Sequence, residues 1–411
     1  MPMSFLRKTQ TAWAKVRAHA RAWRCRDKIL VLESDDWGSI RTSNAKAYRL
    51  LETHGYEMRQ SCYTRDALES QEDLARLVDI LGTFQDQRGR PACLTTNMVM
   101  ANPDFRAIQE SGFLQYACEP VWVTWKRYHA GDVATLWDTG VAKGVFLPQF
   151  HAREHVCWWK WLEALRSGNE EAVKTFDLGM CGVPRAVSRT GLSFYCPPYT
   201  SRQELVRFGV DLEDMIVKGL DLFSAHFGFR SLSTVAPNVT WTDHVESIWA
   251  HNGVKYIQGG TCQHMPVGRR VHLRGHYLGE PSTYNGYYLV RNCTLEPSSA
   301  SGGNTVARCL RQITRAFRAR IPAIVGTHRV NYIGSIDARN RERGLTQLRS
   351  LLKAILKQWP DVYFLCSPEL GYMIETGTQC VRELPNELAP GRKPGVKRRL
   401  AVDPAARVAG G

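Results

Sequence analysis

Residues Val31–Arg41 read VLESDDWGSIR. The segment begins as an apolar strand, KILVLES (28–34), and ends in two adjacent carboxylates, Asp35 and Asp36. Like charges side by side at a strand tip are unfavourable unless something neutralises them. The same design, an apolar run closed by polar residues, recurs along the chain. RPACLTTN (90–97), GVFLPQFH (144–151), LDLFSAH (220–226), VKYIQGG (254–260), YYLVRN (287–292), IPAIVGTH (321–328) and DVYFLCS (361–367) all read as strands. Amphipathic stretches such as LTQLRSLLKAILKQW (345–359) lie between several of them and read as helices. Alternation of this kind predicts an α/β fold with a parallel sheet. One distorted (β/α) barrel over residues 28–375 is the simplest account. There is no G-x-G-x-x-G after the first strand and no P-loop, so neither standard nucleotide-binding pattern applies.

The chain has 411 residues, 44% of them hydrophobic, which is ample for one large core. Its net charge of +15 is concentrated at the ends. Residues 1–30 hold eight Lys/Arg against one Asp, and residues 388–411 hold six against one. The body is therefore close to neutral, and nucleic acid is not the expected partner. Residues 1–27 read as a basic amphipathic helix, with Phe5, Trp13, Val16, Ala20 and Trp23 near one face. Docking on the barrel is one role for it, and contact with an anionic membrane surface is another. The Pro-, Gly- and Arg-rich tail, 383–411, reads as disordered. No run approaches a membrane span, and the N-terminus lacks the apolar stretch of a secretory signal. The expected address is the cytoplasm, peripheral at the inner membrane face. The twelve cysteines include no CxxC pair and read as reduced thiols.

Polar residues at strand ends are where a parallel barrel builds its active site. GVFLPQF ends in His151, and HAREH places His155 four residues on, as on one face of a helical turn. IPAIVGT ends in His328. Two histidines and one aspartate make the three-ligand set of a catalytic zinc, with one position open. A dication would also make the paired carboxylates tolerable. One aspartate would bind the metal and the other would take a proton from water.

ESDDWG (33–38), FHAREH (150–155) and IVGTHRVNY (324–332), in that order, resemble the motifs of the polysaccharide deacetylase family, the NodB-type carbohydrate esterases. The resemblance spans most of residues 28–375. It implies a metal-dependent hydrolase that removes an acetyl group from an N-acetylated sugar. Asp35 resembles the family's catalytic base and Asp36 its metal ligand. His151 and His155 resemble the two metal-binding histidines, and His328 the late general acid. The cofactor implied is a divalent metal, zinc by preference, and the partner a carbohydrate.

The arginine that orients the base in that family has its best match in FRSLSTVAPNVTW (229–241), as Arg230, with Pro237 and Asn238 at the rim. Arg202 in CPPYTSR (196–202) is a rival. Arg329 and Asn331 follow His328 and either hold it or meet substrate. The chain departs from the family in having Ala152 after the first metal histidine and Trp37 where glycine is usual. Trp37 is expected to narrow the cleft or stack on a sugar. The long interval between Asp36 and His151 offers Asn97, Asn102, Tyr116 and Glu119 as cleft or capping residues.

HAREH also fits the inverted zincin pattern H-x-x-E-H, with Glu154 as base and Glu204, Glu213 or Glu246 as a further ligand. That reading, a metallopeptidase, leaves Asp35, Asp36 and His328 without a role. A non-catalytic glycan-binding protein of the deacetylase fold is the other alternative.

Overall fold

A computed structural model describes residues 16–128, 131–195, 200–268, 270–299 and 305–385. Thirteen strands appear among them: β1 (Lys28–Trp37), β2 (Leu94–Val99), β3 (Ala101–Pro103), β4 (Cys118–Pro120), β5 (Phe146–Ala152), β6 (Ser233–Val235), β7 (Tyr256–Gly259), β8 (Cys262–Val267), β9 (Arg270–Gly275), β10 (Tyr287–Val290), β11 (Cys293–Thr294), β12 (Ala323–His328) and β13 (Val362–Leu365). Nine form one sheet along the path β10-β7-β6-β5-β2-β1-β12-β11, with β13 paired to β1. Every pairing in that sheet is parallel. Two small antiparallel pairs, β3–β4 and β8–β9, lie outside it.

The two edges of the path, β10 and β11, are consecutive in the chain and separated only by Arg291 and Asn292. The segment 287–294 therefore pairs first with β7 and then with β12, and it draws the curled sheet toward a barrel. The irregularity has a second source at β1. One edge of β1 meets β12, while β13 takes the first half of the other edge and β2 the second half.

From Ile29 to Trp37 every residue of β1 is buried, as expected of a parallel strand covered on both faces. Helices do the covering. In the helix Ala338–Gln358, Leu345, Leu348, Leu351, Leu352 and Ile355 are buried at helical spacing. The helix Gln71–Thr83 starts at a capping box made by Ser70 and Asp73.

LDLFSAH, expected as a strand, lies inside the helix Leu212–Phe227. Its buried residues, Leu212, Met215, Ile216, Gly219, Leu220, Phe223 and Phe227, follow a 3.6-residue period that a seven-residue window hides. The strand not foreseen is β6, just ahead of Pro237 and Asn238.

Of the predicted N-terminal helix, residues 16–21 are helical, and residues 1–15 lie outside the described part. Ala18 and Ala22 are buried and Trp23 of the expected face packs against the core, while Val16 is 61% exposed and Ala20 is exposed; Phe5 and Trp13 lie outside the described residues. Cys25 N donates to Arg320 O, which ties the segment to the barrel. The predicted tail lies outside the described residues from 386 on, and Val381–Glu383 form a 3-10 turn. The described cysteines are all free. No described helix is long and apolar enough to cross a membrane.

Candidate active site

Parallel register brings the polar strand tips to one end. Asp35 of β1 sits opposite His328 of β12. His151 is the last residue but one of β5, the neighbour of β2, which is itself the neighbour of β1. His155 follows in a bend and not on a helix, so the expected helical turn does not form. The two imidazoles nevertheless meet, with ring centroids 5.4 Å apart.

Asp36 reaches them through a local irregularity. Its φ is +74°, in the left-handed region, and the β1–β2 register shifts between Ser34 and Trp37. Such a bulge adds one residue and re-aims the side chains beyond it. Asp36 therefore departs from the regular alternation of the strand, and both aspartates line one cleft. The chain leaves the bulge through Gly38, with φ +82°, where a Cβ would stand 2.5 Å from Val99 O. Only glycine fits there.

One donor atom from each of Asp36, His151 and His155 lies within 4.8 Å of the others, and all three residues are buried. Asp36 Oδ1 is 3.5 Å from His151 Nε2 and 3.6 Å from His155 Nε2. His151 Nδ1 is 2.6 Å from Val235 O, so it carries the proton and Nε2 presents a lone pair. That Nε2 is buried with no hydrogen-bond partner. Burial, assisted by the Arg41 charge, lowers the pKa of His155 to about 3 and keeps it neutral. A buried carboxylate beside two imidazoles, one with an unpartnered Nε2, is a donor set that fits a divalent cation.

Each aspartate also has its own arginine. Arg291 grips Asp35 bidentately, at 2.6 and 2.7 Å, and its Nε meets the buried Glu33 at 2.5 Å. Asn97 Nδ2 donates to Asp35 Oδ1 at 2.8 Å. Burial would raise the Asp35 pKa, but the Arg291 charge outweighs it and holds the carboxyl down at about 2. Glu33 goes the other way, because burial without solvent contact raises it despite Arg291. Arg41 Nη2 donates to Asp36 Oδ2 at 3.1 Å, and its guanidinium lies between the rings of Tyr63 and Tyr195. Burial opposes ionisation of Asp36, but Arg41 and the histidines keep it well below the usual carboxylate range.

His328 stands across from Asp35, with Nε2 3.9 Å from Asp35 Oδ2. Its Nδ1 is 2.6 Å from Glu296 Oε1. Burial disfavours the imidazolium, but the carboxylates of Glu296, Asp36 and Asp35 prevail and raise its pKa to about 10. Asn331 Nδ2 donates to Glu296 Oε2 at 2.7 Å and to His328 O at 3.0 Å, so Asn331 holds this pair and is itself fully buried.

Several predicted positions fall elsewhere. Trp37 is 0% exposed, donates to Ser34 Oγ and packs edge-on against Trp137, so it is core and not cleft wall. Arg230 and Arg202 are exposed and do not reach Asp35, whose arginine is Arg291. Arg329 is 0% exposed and pairs with Asp66 and Glu69. Pro237 is buried, while Asn238 lines the cleft with φ +53°. Asn102 and Glu119 brace the loop after Gly38: Asn102 Nδ2 donates to Gly38 O, and Thr124 Oγ1 donates to Glu119. Tyr116 stacks on Trp158. Glu154 is buried with both oxygens on Arg153, which removes it as a base, and Glu246 is bonded by Tyr288 and Trp241 in the core. Glu204 accepts from Trp159 Nε1 and pairs with Lys160, and Glu213 lies in the first turn of the helix Leu212–Phe227.

Arg291 and Glu296 escaped the reading of the sequence. The signal was present in YYLVRN, an arginine at a strand tip like the other site residues.

No protein-family model and no curated protein matches the chain. Among solved structures it is similar to a protein assigned as a polysaccharide deacetylase from Mycobacterium smegmatis, at 12% identity over 87% of this chain and 94% of that one, TM-score 0.41. A second protein assigned as a polysaccharide deacetylase, from Pseudomonas aeruginosa PAO1, gives 11% identity over 86% and 91%, TM-score 0.38. A 4-alpha-glucanotransferase from Thermococcus litoralis gives 7% identity over 84% and 40%, TM-score 0.42. All three are loose likenesses of chain path.

Proposed function

We propose that the chain is a metal-dependent hydrolase that removes an acetyl group from an N-acetylated sugar. The observation that carries this is the meeting, at one barrel end, of an Asp36–His151–His155 donor set with a separate Asp35–His328 pair. A divalent ion held by that set, zinc by its ligand chemistry, supplies Lewis acidity to the amide carbonyl and to water. Asp35 is ionised at neutral pH and oriented by Arg291 and Asn97. With a pKa of about 2 it is a weak base, suited to a water that is already acidified. His328, at about 10, is protonated at neutral pH and stands ready to donate to a leaving amine. Glu296 and Asn331 keep its Nε2 turned toward Asp35. The peptidase alternative is disfavoured by the placement of Glu154.

The test measures bound zinc and acetate release from N-acetylated oligosaccharides. His151→Ala and His155→Ala should lose both. His328→Ala should keep the metal and lose about 10²–10⁴-fold in rate. Full zinc content in both histidine variants refutes the ligand assignment. Zinc-loaded protein that never releases acetate, with a chelated control for background, refutes the reaction.

A further inference from the structure

One cleft of about 1470 Å³ holds the Asp36–His151–His155 set at one end and reaches the helix Thr305–Arg318 at the other. The far end has a chemistry of its own. Its floor is apolar, made by Ala22, Leu278, Val290 and Ile321. Its rim carries Arg315 and Arg318, both exposed. Residues three apart on a helix are neighbours, about 5–6 Å apart at Cβ. Two guanidinium forks at that spacing can converge on one tetrahedral anion. Nothing nearby in sequence competes for them, since no Asp or Glu occurs between Glu296 and Asp337 or before Asp27. These two acid-free segments lie side by side, joined by the Cys25 N to Arg320 O hydrogen bond of 3.0 Å. Among the described residues, neither Arg315 nor Arg318 makes an ion pair.

We propose that this end of the cleft binds a phosphate group of the substrate through Arg315 and Arg318. The inference rests on the reading of the other end as the site of sugar deacylation, and it names the substrate class as a phosphate-bearing amino-sugar derivative. The apolar floor beneath the arginines suits whatever carbon skeleton the phosphate links to the sugar. A soluble sugar phosphate and a phospholipid headgroup both present that group, and the test separates them.

The full-length, zinc-loaded protein is titrated with inorganic phosphate by calorimetry, beside R315S/R318S and H155A. The serine pair should weaken binding at least tenfold, and H155A should leave it unchanged. Because both arginines are solvent-exposed, the thermal midpoint of the serine pair should match the wild type, and R315K/R318K should restore part of the binding. Unchanged phosphate affinity in R315S/R318S overturns the proposal, as does a loss confined to H155A, which would put phosphate on the metal. Co-sedimentation with phosphatidylcholine vesicles, with and without phosphatidic acid, then assigns the source. Arginine-dependent capture by phosphatidic acid marks a lipid headgroup, and phosphate binding without capture marks a soluble substrate. Phosphate binding needs no turnover, so a failure to release acetate leaves this result intact and counts only against deacetylation.

Discussion

Arg291→Met removes a charge and keeps most of the side-chain volume. Among the described residues Arg291 is the only arginine or lysine paired with Asp35 and Glu33, protonated His328 stands 3.9 Å from Asp35, and both carboxylates are buried. In the wild type, the Asp35 pKa is lowered from 3.8 to about 2. At about 1.4 kcal/mol per tenfold change in proton affinity, this is worth on the order of 2–3 kcal/mol. Because the folded pKa is depressed, that stability is present above pH ~4 and lost as pH falls toward ~2. Removing the arginine reverses the sign. Two buried carboxylates without the arginine that bridges them share a raised pKa, so their penalty is full at neutral pH and is relieved as acid protonates one of them.

Breaking one side of a buried pair costs about 3–5 kcal/mol. Urea unfolding of R291M should therefore show a deficit of about that size at pH ~7, shrinking at pH ~5. Glu33→Gln in the same background should recover part of it at neutral pH. A deficit below ~1 kcal/mol, or one that stays constant between these pH values, refutes the assignment of Arg291 as the counter-ion.

Glu296→Gln should lower the His328 pKa from about 10 toward its ordinary 6.5, because the carboxylate that does most to raise it is gone. The alkaline limb of acetate release should then move to lower pH, and an NMR titration of the imidazole should report the same shift. Wild-type His328 stabilises the fold fully below pH ~6.5 and loses that contribution as pH rises toward 10, so E296Q should also flatten the decline in stability across that window. Trp37→Ala should cost about 3–5 kcal/mol by denaturant unfolding, as large-to-small core changes do. Among oligosaccharides, its substrate preference should not change; a variant of normal stability with altered preference would place the ring back in the cleft.

The parts of the site that the sequence disclosed are those that terminate their own strands. Asp35, Asp36, His151 and His328 each close an apolar run, and parallel pairing then gathers them. What stayed hidden depends on contacts across the barrel. Arg291 lies 256 residues from Asp35, and the two meet because a two-residue link joins the two edges of the sheet. No local pattern encodes that closure. Trp37 misled for a related reason. In a regular strand it would share a face with Asp35, but the bulge at Asp36 changes the alternation and sends the indole into the core. LDLFSAH misled because four apolar residues in seven suit either element, and only the sixteen-residue helix reveals the period.

The adjacent aspartates are also explained differently by the structure than by their sequence. A shared dication is not needed to make them tolerable. Each carboxylate has its own counter-ion: Arg291 neutralises Asp35 and Arg41 neutralises Asp36. Charge balance at the DD pair is thus no argument for a metal. The argument lies with the histidines. Arg41 occupies Oδ2 of Asp36 and leaves Oδ1 facing two imidazoles. One of them is fixed by Val235 O in the tautomer that exposes Nε2, and that nitrogen is buried without a partner. An unsatisfied buried polar atom costs about 1–3 kcal/mol. Three donors held within 4.8 Å of one another, one of them with that cost unrelieved, could hold a cation between them.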